Sequence, residues 1–195
     1  MRQQAIVATA LDLAEDRGVA GVTTAALARR LQFTEAALYR YFPGKGAIIA
    51  AALRHMAERL FATMLLELMP EAVPQGHAAQ LQLQRHIQRF GLRKGLLLEL
   101  LLNASGNREE ALQTTGGEFL QEYTHRMTTY FKQLQELRLT STATPPPELA
   151  RLWVCQLLGG FVRCRLAREP WDPVEQLGFH AFLAQMQGST SLAAS

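Results

Sequence analysis

The residues between Thr34 and Tyr41 have the types and the spacing that suit contact with a nucleic-acid duplex. On a helix over this stretch, 3.6 residues per turn place Leu38 on the inward side and Ala36 and Arg40 on the opposite side. Small side chains let a helix backbone enter a major groove, and an arginine fork can donate to guanine or to a phosphate. The stretch therefore predicts a surface helix that contacts DNA.

The residues just before this stretch predict a second short helix and a tight turn. Thr23 and Thr24 offer a hydroxyl that can accept a hydrogen bond from the first helical turn, and Ala25–Leu31 then supplies two turns. The pattern breaks at Gln32, and Thr34 offers a second cap soon afterwards. The spacing leaves room for a sharp turn between two helices, which is the arrangement of a helix-turn-helix motif.

The elements on either side must hold this pair of helices in place. Residues 6–17 have an apolar side and an acidic side, and Gly18 ends the pattern, so we expect a first bracing helix. Pro43 ends the second short helix, and Lys45 begins a long helix that reaches Met69. Because no long basic arm precedes the first helix, we expect no minor-groove tail.

Two segments resemble the DNA-binding part of TetR/AcrR-family regulators. These are VTTAALA, from Val22 to Ala28, and TEAALYRYFPGK, from Thr34 to Lys45. In the family pattern, Gly, His and Ser stand where this chain has Gln32, Tyr41 and Gly44. At Gln32 the chain must therefore either tolerate a left-handed conformation or form a slightly different turn.

The resemblance implies a role for each position of the motif. The residues expected to contact phosphates are Thr24, Thr34, Tyr39, Tyr41 and Lys45. The residues expected in the groove are Glu35, Ala36, Ala37 and Arg40. With two alanines in the groove, hydrogen-bonded recognition of bases is expected to be sparse.

The remainder of the chain predicts helices and no convincing strand. We expect an all-α protein of about nine helices, with a helix-turn-helix domain over residues 1–46, a helical effector-binding and dimerisation domain over 47–187 and a disordered tail over 188–195. The later helices are predicted over residues 77–90, 95–104, 109–137, 148–167 and 174–187, and a Thr- and Pro-rich linker over 140–147.

An aromatic stripe on the helix over 109–137 is usual for a core, and the alternative is that it lines a ligand cavity. For the cavity we expect an apolar effector and the lining residues Phe61, Leu65, Phe90, Leu97, Phe119 and Tyr123. A monomer of this size would have difficulty covering the apolar stripes of the last two helices, so we expect them to form a four-helix dimer interface. Its predicted residues are Trp153, Leu157, Gly160, Phe161, Cys164, Phe179, Phe182, Leu183 and Met186.

Net charge and cysteine content narrow the range of possible functions. The 195 residues carry a net charge of +3, which permits nucleic-acid binding without demanding it. Cys155 and Cys164 would face opposite sides of one helix and cannot pair, which favours a reducing cytoplasm. We expect no membrane span, because the longest apolar run, Leu96–Leu102, is interrupted by Glu99 and is far too short to cross a bilayer. We also expect no signal peptide, no metal and no cofactor. No catalytic constellation is present, so we expect no enzymatic activity.

The sequence therefore predicts a cytoplasmic, nucleoid-associated, homodimeric DNA-binding regulator of bacteria. We expect a repressor that leaves a palindromic operator when a small molecule binds. One alternative rests on a looser resemblance to the nucleoid-occlusion factors of the TetR fold, which bind chromosomal DNA and inhibit the tubulin-like division protein. Another is a helical dimer that interacts only with proteins, which would show no salt-dependent duplex binding.

Overall fold

A computed structural model describes residues 2–68, 77–140 and 142–176. In these ranges the secondary structure is helical, without strands, which confirms the all-α class. The helices are α1 (Arg2–Arg17), α2 (Thr24–Leu31), α3 (Glu35–Tyr39), α4 (Lys45–Glu67), α5 (His77–Gly91), α6 (Leu96–Ser105), α7 (Glu110–Glu136), α8 (Pro146–Ala167) and α9 (Pro173–Gln176).

Most predicted helices form within a few residues of the expected bounds, and the differences have local causes. Helix α1 begins four residues earlier than predicted, at Arg2. Helix α8 begins at Pro146, inside the predicted linker, because proline is well suited to the first turn of a helix, where its missing N–H is not needed. The last predicted helix is described only as far as Gln176.

The chain divides into two compact units. The first contains Met1–Leu60 and Arg93–Leu120, and the second contains Phe61–Leu92 and Gln121–Ser195. Helix α6 and the start of α7 thus pack with the N-terminal helices despite their distance in sequence. Helices α4 and α7 each contribute residues to both units.

The first unit has an aliphatic core beneath α1, α2 and α3. Ile6, Leu13, Leu27, Leu38 and Ile48 are almost completely buried. Helix α6 lies in the same unit and is buried through its leucines, as predicted for this apolar helix. These contacts fix the positions of the short helices, which have too few residues to be stable alone.

The second unit has an aromatic core. The rings of Tyr123, Tyr130 and Phe131 on α7 are buried, and so are those of Trp153 and Phe161 on α8. Along α7 the predicted aromatic stripe therefore forms part of the core. None of the helices in the described ranges is both long enough and apolar enough to cross a lipid bilayer.

Candidate nucleic-acid interface

Helix α2 begins and ends as its sequence predicts. Thr23 is the N-cap, and its hydroxyl oxygen accepts a hydrogen bond of 3.1 Å from the backbone N–H of Ala26. At the other end Gln32 adopts the left-handed conformation, with φ 57° and ψ 39°, and its N–H points to the carbonyls of Ala28 and Arg29. Of the two alternatives for the turn, the left-handed residue is the one that forms.

Helix α3 is short and is held by the same kind of cap. The Thr34 hydroxyl oxygen accepts a hydrogen bond of 3.2 Å from the N–H of Ala37. Leu38 is buried, as its predicted inward orientation requires. The regular helix ends at Tyr39 and not at Tyr41, but Arg40 keeps helical φ and ψ angles. The outward direction of Arg40 therefore continues the face of α3.

The face of α3 opposite Leu38 is open to solvent. Glu35, Ala36 and Arg40 are exposed, and Ala37 is half-buried. Tyr39 is 52% exposed, so its side chain is accessible to a partner. The geometry agrees with the predicted outward face, and contact of these residues with DNA stays a prediction.

A hydrogen bond joins the first turn of α2 to the first turn of α3. The Thr24 hydroxyl donates to a carboxylate oxygen of Glu35 at 2.6 Å. The resemblance assigns Thr24 to a phosphate and Glu35 to the groove, and in the free protein the two side chains hold each other. The carboxylate of Glu35 is therefore fixed before any partner arrives.

The segment after α3 is anchored to the first turn of α1. The side-chain amide of Gln3 donates to the backbone carbonyl of Tyr41 at 3.2 Å, and the guanidinium of Arg2 donates to the Tyr41 phenol oxygen at 3.2 Å. Lys45 donates to the carbonyl of Ala20 at 3.4 Å. Sequence reasoning missed Arg2 and Gln3 because they are 38 or more residues from Tyr41 and no local pattern links them.

Two carboxylates from residues 93–120 hold the ends of the helix-turn-helix. Glu99 on α6 accepts a hydrogen bond of 3.0 Å from the N–H of Val19, in the turn between α1 and α2. Glu109, just before α7, accepts one of 3.2 Å from the N–H of Gly46, in the first turn of α4. A side chain on Gly46 would collide with the Glu109 carboxylate. These contacts were not predicted, since they join residues more than 60 positions apart.

The six predicted ligand-pocket residues do not lie in one unit. Leu97 and Phe119 are buried in the first unit, whereas Phe61, Leu65, Phe90 and Tyr123 belong to the second. Leu65 is 58% exposed, which does not suit the lining of an enclosed cavity. In the first unit a groove of about 600 Å³ between α1 and α4 contains none of the six. The predicted pocket therefore stays a prediction.

A polar cluster lies within the aromatic core of the second unit. The indole N–H of Trp153 donates to the Tyr123 phenol oxygen at 2.9 Å, and Nε2 of His86 is 3.0 Å from the same oxygen. The Phe90 ring packs edge-on to Tyr123, with 5.4 Å between centroids. Burial raises the pKa of the Tyr123 phenol well above its usual value, and the Trp153 hydrogen bond lowers it in part. The Tyr123 hydroxyl is thus a neutral, hydrogen-bonded group in an apolar setting.

Helix α8 buries most of the residues predicted for the dimer interface. Trp153, Leu157, Phe161 and Cys164 are buried within one subunit, because Trp153 contacts Tyr123 and Phe131, and Phe161 contacts Trp171. Because these four side chains are buried in their own subunit, they are not available at its surface for contact with a second copy. The remaining predicted interface residues are Gly160, which is half-buried, and Phe179, Phe182, Leu183 and Met186, which lie outside the described residues.

The exposed face of α8 carries a different set of residues. Leu152 is 54% exposed and Leu166 is 81% exposed. Cys155 is exposed while Cys164 is buried, which confirms that the two thiols face opposite sides of the helix. Gly159 has open space where its side chain would be. With 3.6 residues per turn, Leu152, Cys155, Gly159 and Leu166 form one stripe.

Two short capped helices, a left-handed turn residue and an exposed α3 face define a helix-turn-helix DNA-binding domain within an all-α protein. Residues 6–52 match the model of the bacterial regulatory proteins of the tetR family. These residues contain α2 and α3, so the helix-turn-helix segment is similar to the DNA-binding part of TetR-family regulators, which supports a DNA-binding regulator.

The chain is also similar to two nucleoid occlusion factors and to one solved regulator. The nucleoid occlusion factor SlmA of Marinobacter nauticus is 27% identical over 180 residues, which are 90% of this chain and 91% of that protein. SlmA of Haemophilus influenzae strain PittGG is 36% identical over 70 residues, which are 36% of this chain and 32% of that protein. A transcriptional regulator from Saccharomonospora viridis, solved in complex with choline, has a TM-score of 0.75 at 16% identity, covering 93% of this chain and 95% of that one. At that identity the similarity concerns the fold alone.

Proposed function

We propose that the protein is a homodimeric transcription repressor that binds a palindromic operator and leaves it when a small molecule binds. The observation that carries the proposal is the solvent-exposed face of α3, with Ala36 and Arg40 outward and Leu38 anchored in the core. Each subunit would place α3 in the major groove of one half-site, with the half-sites about one helical turn, or roughly 34 Å, apart.

The residues predicted to contact DNA divide into those that position the protein and those that discriminate bases. Thr34, Tyr39, Tyr41 and Lys45 carry hydroxyl or ammonium donors that suit phosphate oxygens, and the Thr24 hydroxyl can join them once its hydrogen is released from Glu35. In the groove, Ala36 and Ala37 allow close approach and offer no hydrogen bond. Discrimination therefore falls on Arg40, which can pair with guanine, and on Glu35, whose fixed carboxylate can accept from the amino group of cytosine.

For the dimer we propose the exposed stripe of α8 together with residues of the last predicted helix. Leu152 and Leu166 are large apolar side chains at the surface, and Gly159 between them lets another helix approach closely. A charged substitution on this stripe, such as Gly159→Glu, should yield monomers in sedimentation. A persisting dimer would exclude the stripe from the interface.

For the effector we propose a site in the second unit near Phe90 and Tyr123. The aromatic rings there supply apolar contacts, and the Tyr123 hydroxyl with His86 supplies a small polar element, which is the usual composition of a ligand site. An effector acts only to the extent that it prefers one of two conformations of the dimer. Helices α4 and α7 each run from one unit into the other and are the connections through which such a preference would act.

A second candidate is a nucleoid-occlusion role, in which the DNA-bound protein inhibits the division protein. The match to the Marinobacter nauticus factor over 90% of this chain favours it. Both candidates imply a cytoplasmic protein on the nucleoid. A genome-wide binding profile separates them, because many dispersed sites that ignore small molecules would support nucleoid occlusion, and one or two promoter sites would support repression.

The experiment that tests the main proposal is selection of bound duplexes from a random pool. We expect an enriched palindrome whose half-sites are about one turn apart. Enrichment of no sequence, together with no salt-dependent duplex binding, would contradict DNA recognition and leave a helical dimer that interacts only with proteins.

A further inference from the structure

The first turn of α1 meets the DNA-facing side of the protein at Tyr41. The Arg2 guanidinium donates to the Tyr41 phenol oxygen at 3.2 Å, and the Gln3 amide donates to the Tyr41 carbonyl at 3.2 Å. Tyr41 directly follows Arg40, at the end of the exposed α3 face. Arg2 is exposed, and the contact therefore places a guanidinium at the surface beside the residues expected to touch DNA.

The chemistry of the pair suits an anion. Because the phenol oxygen accepts from Arg2, its own hydrogen can be donated to a further acceptor. A guanidinium has five N–H donors in a plane, and most of them remain after the bond to Tyr41. Within the described residues its hydrogen-bond partner is a neutral phenol and not a carboxylate, so its charge is not offset there. A phosphate oxygen placed against both groups would receive one O–H and at least one charged N–H.

We infer that Arg2 and Tyr41 together form a contact site for one backbone phosphate of the operator. The inference rests on the proposed function and adds to it a residue, Arg2, from a helix that the helix-turn-helix motif does not include. Tyr41 stands where the family pattern has histidine, and a phenol held by an arginine keeps a hydrogen-bond donor at that position. The site extends the interface from α2 and α3 onto the start of α1.

A different role for Arg2 would be to fasten α1 to the segment after α3. The Gln3 bond to the Tyr41 carbonyl already supplies a fastening that does not need a charge. A fastening would affect protein stability and would leave the salt dependence of DNA binding unchanged. A phosphate contact releases counterions from DNA, and each one adds about 0.9 to the slope of log affinity against log salt.

The test is that slope, measured for the full-length chain on its selected operator, with any tag placed at the C-terminus. Arg2→Ala should lower the magnitude of the slope by about 0.9 for each subunit bound and weaken binding to all duplexes alike. Arg2→Lys should keep the slope, because it keeps the charge. Tyr41→Phe should weaken binding without a change of slope, and the effects of Arg2→Ala and Tyr41→Phe should not add, because the groups share one phosphate.

Lys132→Ala is the matched control, since Lys132 is an exposed cation on α7 in the second unit and its loss changes the net charge equally. It should keep the slope of the unmodified protein. If Arg2→Ala also keeps that slope, or if both variants lower it equally, the phosphate site is excluded while the proposed function stands. If the unmodified protein shows no salt-dependent duplex binding, both are overturned. Thermal unfolding of Arg2→Ala verifies the fold, and Arg2→Gln replaces it if it is unstable.

Discussion

Two groups of hydrogen-bonded side chains differ in how far apart their partners lie in the sequence. The α2–α3 surface contains Thr23, Thr24, Thr34 and Glu35, and the Tyr123 cluster contains Tyr123, His86 and Trp153. On the α2–α3 surface the two capping hydrogen bonds join residues that are close in sequence, since the hydroxyl oxygens of Thr23 and Thr34 each accept from the N–H three positions later. In the Tyr123 cluster the partners lie 30 and 37 residues away, on α8 and α5. The cap of α3 is exposed and that of α2 is part-buried, whereas both hydrogen bonds of the Tyr123 cluster are buried.

Exposed and buried hydrogen bonds differ in what they contribute to partner recognition and to protein stability. An exposed hydrogen bond competes with water and adds little to folding, but its groups are accessible to a partner. A buried hydrogen bond is costly to break, because the groups left behind have no water to replace it. We therefore expect substitutions on the α2–α3 surface to change DNA binding more than unfolding, and substitutions in the Tyr123 cluster to do the reverse.

The largest effect is expected from Trp153→Ala. The Trp153 ring is buried, packs edge-on to Phe131 and donates to Tyr123, so its loss leaves a cavity and breaks a buried hydrogen bond. The free energy of unfolding should fall by about 3–5 kcal/mol, measured with urea. Leu66→Ala is the control in the same unit, since Leu66 is 78% exposed and should change the value by less than about 0.5 kcal/mol. Equal effects of the two variants would contradict the assigned core.

The second prediction concerns alkaline pH. Burial raises the pKa of Tyr123 and of Tyr130, so above about pH 10 the unfolded chain loses phenol protons that the folded chain keeps. The unfolded state then binds fewer protons, and stability falls by about 1.4 kcal/mol per pH unit for each tyrosine. Tyr123→Phe should lower stability at neutral pH by about 1–3 kcal/mol, because the Trp153 donor loses its acceptor.

The test compares how steeply the free energy of unfolding falls with pH in the unmodified chain and in Tyr123→Phe. Urea unfolding at several pH values from 9 to 11 should show a shallower loss of stability for Tyr123→Phe than for the unmodified chain. The difference isolates Tyr123, since the lysines and the other tyrosines are common to both proteins. Parallel curves would mean that the Tyr123 phenol ionises equally well in the folded and the unfolded states.

Local signals explain why the caps and the inward side of α3 could be predicted from the sequence. Thr23 and Thr34 find their partners within one turn, and the burial of Leu38 follows from helical periodicity alone. At Gln32 the sequence left two alternatives, because a non-glycine left-handed residue is unfavourable by itself. Its N–H is directed at the carbonyls of Ala28 and Arg29, and these contacts favour that conformation.

Contacts between distant elements could not be predicted in this way. No sequence pattern shows that Arg2 reaches Tyr41 or that Glu109 reaches the N–H of Gly46, because each contact depends on how the helices pack. Helix α8 illustrates a related limit. Its apolar residues occur nearly all round, so periodicity does not say which of them, Trp153 or Leu152, faces the subunit's own core.

The third prediction concerns Arg40, on the exposed face of α3. Arg40→Ala should weaken operator binding and lower discrimination at one base pair by about 1–3 kcal/mol if the guanidinium is bidentate to guanine. Unfolding should change by less than about 0.5 kcal/mol, because Arg40 is exposed. Arg40→Lys is the matched control, since it keeps the charge but not the fork and should lose discrimination while keeping non-specific binding. Unchanged affinity for every duplex would exclude Arg40 from the interface.

Thr34→Ala should lower both the stability of the protein and its operator affinity by a small amount. Thr34 is exposed, but its hydroxyl oxygen caps α3, so the variant should lose about 1 kcal/mol of stability and Thr34→Ser should lose much less. Because α3 has five residues, the uncapped helix should fray, and operator affinity should fall as well. If Thr34→Ser and Thr34→Ala weaken operator binding equally relative to the unmodified protein while unfolding separates them, the cap serves folding alone, and the threonine methyl group contributes to the contact with DNA.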